Sequence, residues 1–113
     1  MTNELRAAVE PVVDLLERGD FSRLAQYADP RVLPEHLEQA VHDHGATLTQ
    51  LTDREYDKAR VVQVSPEVAP DTWAVWIPVR TLEEGTSDLK LQLVVHRKAD
   101  GDYVVKVDGI VVT

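Results

Sequence analysis

Three of the four histidines, His36, His42 and His44, lie close together among Glu35, Glu38 and Asp43. A metal site on one helix needs ligands three or four residues apart, so that they share a face. These histidines are spaced by six and by two, and no metal site is expected. His42 stands four residues after Glu38, an ordinary surface pair. His44 is in line with Leu37, Ala40 and Val41 and is expected at a helix end, near the last free carbonyls. Acid–base chemistry needs a titratable group in a pocket, beside something that shifts its pKa. Asp108 is the best candidate, with His96 and Trp76 as further lining of such a pocket. The simpler reading, which we favour, is that Asp108 and Gly109 form a bulge or turn and that Gln92 satisfies the carboxylate.

The segment Thr81-Leu82-Glu83-Glu84-Gly85-Thr86-Ser87-Asp88 gathers acids, hydroxyls and a glycine. It matches neither the calcium-loop pattern nor the glycine-rich phosphate loops. Turn chemistry explains it, with Gly85 at a positive dihedral and Ser87 and Asp88 hydrogen-bonding the backbone. Loops on a rigid sheet are also where binding residues sit, which makes Glu83, Glu84 and Asp88 the candidates for contact with a partner. No serine elbow is present, and Ser22, Ser65 and Ser87 have no base nearby in sequence. There is no cysteine, which removes disulfides, thiolate metal sites and cysteine nucleophiles and fits a reducing compartment. We assign no catalytic residue and expect no cofactor.

The elements that must position these residues change period near residue 46. Leu5, Ala8, Val9, Val12, Val13 and Leu16 recur every three or four residues behind a cap at Asn3, and Gly19 ends that helix. Pro11 removes a backbone donor within it and predicts a kink, or else a start near Glu10. Asp20 caps a short second helix through Phe21, Leu24, Ala25 and Ala28. A third begins at Pro34 and stops at Gly45. From residue 46 the period becomes two. Strands are expected over Lys58 to Val64, Thr72 to Arg80, Leu89 to Arg97 and Tyr103 to Val112, with a short one at Leu48 to Leu51. Pro78 demands an edge or a bulge. Trp73 and Trp76 differ by three and face opposite sides of the sheet, Trp73 toward the core and Trp76 toward a cavity or an interface.

A three-residue turn at Ala99-Asp100-Gly101, with Gly101 left-handed, sets Lys98 opposite Asp102. Leu89 then faces Val111, Leu91 faces Gly109, Leu93 faces Val107, Val95 faces Val105 and Arg97 faces Tyr103. The other face pairs Lys90 with Ile110, Gln92 with Asp108, Val94 with Lys106 and His96 with Val104. A two-residue turn would bury Asp108 and Lys106 unpaired, which is costly, so it is rejected. Helices followed by strands in a chain of 113 residues give one α+β domain over 1–113, with three helices (about 3–45) packed on one face of a curved, mostly antiparallel four- or five-stranded sheet (about 46–113).

The formal net charge is −8 and is unevenly placed. Residues 1–57 carry five Lys/Arg against twelve Asp/Glu, and residues 58–113 seven against eight. Such a surface repels nucleic acid; the simpler reading is that it serves solubility alone, and the functional one is attraction to a basic protein. No apolar run is long enough for a membrane span and the N-terminus lacks a signal-peptide layout, so the reading is cytoplasmic, with no membrane partner.

The block from Trp73-Ala74-Val75-Trp76 through Glu83-Glu84-Gly85-Thr86-Ser87-Asp88-Leu89, preceded by Arg18-Gly19-Asp20-Phe21 and followed by Gly101-Asp102-Tyr103, resembles a family of small uncharacterised bacterial proteins. More loosely, a helix ending in Gly-Asp-Phe ahead of an antiparallel sheet is similar to the cystatin-like folds, the nuclear-transport-factor-2-like superfamily among them. That likeness implies a fold, and its members range over isomerases, cyclases, dimerisation modules and immunity proteins. The aspartate and tyrosine of its ketosteroid isomerases find no motif match here. The expected function is a non-catalytic, protein-binding module, immunity- or antitoxin-like in its most concrete form. The alternative is a small-molecule pocket between helices and sheet at Trp76, His96 and Asp108, with isomerase- or cyclase-type or purely binding chemistry. Homodimerisation through the exposed sheet face is compatible with either.

Overall fold

The stripe of Leu5, Val9, Val12, Val13 and Leu16 folds as a helix, α1 (Asn3–Glu17), with each of these side chains buried. Its cap is Thr2, one residue earlier than expected, whose hydroxyl accepts the Leu5 N–H at 3.2 Å. The helix runs through Pro11 without ending. Asp20 caps α2 (Phe21–Ala25) by accepting the Arg23 N–H. Helix α3 (Pro34–Asp43) starts at its proline, and His36 reaches back so that its Nδ1 accepts the Leu33 N–H at 3.1 Å. The strands are β1 (Leu48–Thr49), β2 (Arg60–Gln63), β3 (Thr72–Thr81), β4 (Gly85–Arg97) and β5 (Tyr103–Val112), with a short helix α4 (Asp53–Asp57) between β1 and β2. This computed structural model describes residues 1–65 and 67–112.

The sheet is antiparallel and open, in the order β1-β3-β4-β5, with β2 also paired to β3. Odd-numbered residues of β3 and β4, among them Val75, Ile77, Leu91, Leu93 and Val95, point to one side and are at most 1% exposed. They form one core with the buried stripes of α1, α2 and α3. Each large aliphatic side chain so enclosed contributes roughly 1.5–3 kcal/mol. Trp73 lies on this side, tilted against Tyr103 with ring centroids 6.4 Å apart. The even-numbered residues make a second face, away from α1 to α3.

The edge next to β3 is divided. β2 pairs as far as Arg60 with Trp76, β1 resumes at Thr49 with Arg80, and the β3–β4 register shifts between Pro78 and Arg80. Pro78 thus has the edge and the bulge its missing donor requires. Helix α4 packs beside this part of β3. It was not expected in a region read as sheet, although Thr52-Asp53-Arg54-Glu55 is a capping-box sequence.

The last hairpin follows the derived register from Arg97–Tyr103 to Leu93–Val107, with Gly101 at φ 91°. It then shifts by one, so that Gln92 pairs with Gly109, Leu91 with Ile110, Lys90 with Val111 and Leu89 with Val112. The pairs expected beyond Leu93 are corrected accordingly. Asp108 is the extra residue of a bulge, which turns Ile110 inward to cover Leu91 instead of leaving Gly109 there. That burial is the physical reason for the shift, since Ile110 is 9% exposed.

Candidate functional site

Glu55 is fully buried. Its position follows from the capping box: Oε1 accepts the Thr52 N–H at 2.7 Å and the Thr52 hydroxyl at 2.8 Å. Oε2 accepts the Thr86 hydroxyl at 2.5 Å and lies 3.5 Å from Arg80 Nη1. Burial pushes this carboxyl up, but the hydrogen bonds from Thr86 and Thr52 and the Arg80 charge outweigh it and hold it below its ordinary value. The group joins α4 to the β3–β4 hairpin through three hydrogen bonds and the nearby Arg80 charge, and acts as a strut.

The turn after β3 is tied to the end of α3. His44 Nε2 lies 2.7 Å from Glu84 Oε1 and 3.3 Å from Ser87 Oγ. The serine accepts the Leu89 N–H at 3.0 Å, donates toward Glu84 Oε1 at 3.3 Å and is 3% exposed. A nucleophilic triad uses one imidazole nitrogen for the serine and the other for the acid. Here a single nitrogen faces both, so the cluster locks the turn and does not relay a proton. Glu83 Oε1 accepts the Thr47 N–H at 2.7 Å, which holds its carboxyl below the usual range. Two of the three turn acids singled out from the sequence therefore have partners within the chain. Asp88, which is exposed, has no carboxylate partner among the described residues. Sequence reasoning placed His44 at its own helix terminus and saw no base near Ser87, because that contact spans 43 residues.

Trp76, His96 and Asp108 all lie away from the helix-packed side of the sheet. Trp76 pairs with Gln92 across the strands, while His96 stands four residues further along β4, about 13 Å at the rise of a strand. His96 Nδ1 meets the Thr72 hydroxyl at 3.0 Å. Asp108 is exposed at its bulge. The three do not converge on one pocket between helices and sheet.

A different set does converge. Along the outer side of α1 runs a groove of about 600 Å3, lined by Arg6, Glu10, Asp14 and Glu17 and closed by Leu51 and Tyr56. The helical period puts residues 6, 10, 14 and 17 on one line. At one end the Arg6 guanidinium lies 4.2 Å from the centre of the Tyr56 ring and donates to Glu10 at 2.9 Å and to Asp53 at 2.7 Å. At the other, Glu17 accepts the Leu51 N–H. Burial pushes the Glu17 carboxyl up, the Leu51 N–H opposes this, and neighbouring Asp14 and Glu10 push it further up. The Tyr56 hydroxyl is pushed up to about 12 by burial and by Glu10 and Glu17.

Residues 13–113 match the model of a domain of unknown function, DUF7668. The chain belongs to this family. The DUF7668 match takes in the Trp73–Leu89 block, the Glu55 strut and the β3–β4 turn, and within the groove it includes Asp14, Glu17, Leu51 and Tyr56. Comparisons with curated proteins and with solved structures find no match. No helix among the described residues of this DUF7668 chain is long and apolar enough to cross a membrane.

Proposed function

We propose that the chain is a non-catalytic protein-binding module that receives a basic segment of another protein in the acidic groove along α1. The observation that carries this reading is Arg6, whose guanidinium rests on Tyr56 between two carboxylates. The chain itself supplies an example of how the groove holds a cation, by ring contact and charge-assisted hydrogen bonds together. Further along, burial first and then Asp14 and Glu10 push the Glu17 carboxyl up, and an incoming lysine or arginine would favour its charged form, beside an Asp14 that Arg18 already pairs at 3.0 Å. The tightly packed inner face of the sheet supports this reading over a small-molecule pocket between helices and sheet. Asp88 at the β3–β4 turn enters as a second contact, ahead of Glu83 and Glu84, whose carboxylates are already engaged. An immunity- or antitoxin-type role, an acidic protein covering a basic one in the cytoplasm, is the most concrete form. We read the architecture itself as cystatin-like, in the manner of the nuclear-transport-factor-2-like superfamily.

The test is binding of a labelled lysine-rich peptide to the wild type and to the Glu10→Lys/Glu17→Lys double variant, followed by fluorescence anisotropy at two salt concentrations. Salt-dependent binding that falls at least tenfold in the variant is expected. Equal affinity for both proteins would remove the groove as the site.

A further inference from the structure

The second face of the sheet differs in charge from the rest of the molecule. On the helical side Arg6, Arg18, Arg23 and Arg31 each sit within 3.6 Å of a carboxylate. Arg80, Arg97 and Lys98 are paired in the same way. Arg60, Lys90 and Lys106 lie in no ion pair among the described residues, and the strand register places all three on the outer face. Arg60 is opposite Trp76, Lys90 is opposite Pro78, and Lys106 is opposite Val94. Arg54 and Lys58, at α4, are likewise outside the ion pairs among the described residues, so what distinguishes the outer face is that three such cations share it.

Between them runs an apolar row across three strands, which ends on Lys106 of the fourth. Val62 pairs with Ala74, Ala74 with Val94 and Val94 with Lys106, with the Trp76 ring standing beside the small Ala74. Val62 and Val104 are 39% and 40% exposed. The Arg60 guanidinium lies 5.4 Å from the centre of the Trp76 ring. A guanidinium stacked in this way presents its N–H edge outward, in the fork that matches a carboxylate. The carboxylates near this face are Asp88, two residues before Lys90 on β4, Asp108 at the bulge, and Asp29, which feels the Lys106 charge; among the described residues none of them forms an ion pair with Arg60, Lys90 or Lys106.

From this juxtaposition we infer that the outer sheet face is a second binding surface, and that its occupant is a carboxylate-rich amphipathic segment of another protein. Apolar side chains of the segment lie on the Val62–Ala74–Val94 row beside Trp76, and its carboxylates reach Arg60 at one side of the sheet and Lys106 at the other. Those two stand on β2 and β5, three strand spacings across and two residues along, or about 16 Å apart, a span that about three turns of an acidic helix cover. A second copy packed face to face fits less well, because it would bring two sets of the same three cations into one interface. This surface is independent of the α1 groove.

The experiment uses the full chain and two synthetic helical peptides with the same leucine stripe, one flanked by glutamates and one by lysines. Amide and indole shifts are followed by NMR, with affinities from anisotropy. The glutamate peptide is expected to move the Trp76 indole and the Ala74 and Val94 amides. Its affinity should fall at least tenfold in Arg60→Glu/Lys106→Glu and stay unchanged in Glu10→Lys/Glu17→Lys, with circular dichroism confirming that both variants fold. Absence of binding, or shifts confined to α1, would overturn the inference. So would a sedimentation result in which the free protein is a dimer that Arg60→Glu dissociates, since a second copy would then own the face.

Discussion

Two groups of carboxylates in this molecule look alike in sequence and behave differently in the fold. Glu55, Glu83 and Glu84 each receive donors from another part of the chain: hydroxyls and an N–H, the Thr47 N–H, and the His44 ring respectively. Glu10, Asp14 and Glu17 line an open groove, where Glu10 and Asp14 pair with Arg6 and Arg18 of the same segment at the surface, and only Glu17 takes a donor from elsewhere, the Leu51 N–H. A carboxylate's role is set by the donors that folding brings to it. The first group fastens elements together, whereas Glu10 and Asp14 carry charge toward solvent and Glu17 stands between the two kinds.

The comparison is broken most directly at Glu55. Replacement by alanine strands the Thr52 and Thr86 donors and the Arg80 charge in a buried site, and a loss of about 2–4 kcal/mol is expected in urea unfolding. Because the folded carboxyl titrates below its ordinary value, its contribution is complete above the unfolded pKa and disappears as pH falls through the folded one. The wild type should therefore lose more stability on acidification than Glu55→Gln. An unchanged acid slope would show that the strut carries no charge.

A smaller effect is expected at the turn. Glu83→Ala/Glu84→Ala releases the loop at Thr47 and the end of α3, lowering the melting temperature by less than the Glu55 change, while Asp88→Lys leaves it where it was. If all three behave alike in thermal unfolding, the turn acids are surface charges and the distinction drawn here fails. The smallest effect, and opposite in sign, belongs to Glu17. Its raised pKa means that ionisation opposes folding, so its unfavourable contribution grows as pH rises from the unfolded to the folded pKa and is complete above it. Glu17→Gln, which can still accept the Leu51 N–H, should match or exceed wild-type stability at pH 7 while weakening the basic-peptide complex. A clear destabilisation at pH 7 in chemical unfolding would place Glu17 with the struts.

Much of the frame was legible because hydrophobic spacing encodes it. The stripe of α1, the proline start of α3, the bounds of β5 and the hairpin register as far as Leu93–Val107 followed from period and turn chemistry. The bulge did not, because Val104, Val105, Val107, Ile110, Val111 and Val112 are apolar at both parities. Alternation there cannot say which side faces inward, and only the cover over Leu91 decides. Helix α4 is too short to show a periodic stripe, and its capping box was the one available signal. The site was less legible than the fold for the same reason throughout. The His44–Glu84 and Thr86–Glu55 contacts join residues 40 and 31 positions apart, whereas local pattern reports only on neighbours.

The segment after α2 has a consequence for how this sheet ends. Tyr27 accepts the Val107 N–H at 2.8 Å and Ala28 bridges to Val107, ahead of Pro30. The chain's own backbone thus occupies the outer edge of β5, where a strand from another molecule would otherwise dock. On the opposite side the edge of β3 is divided between β1 and β2, with α4 packed beside the gap, which breaks its row of donors into short pieces. A valine-rich hairpin that could template stacked fibrils is in this way interrupted at the middle of its outer border, at Val107, by a segment only a few residues long.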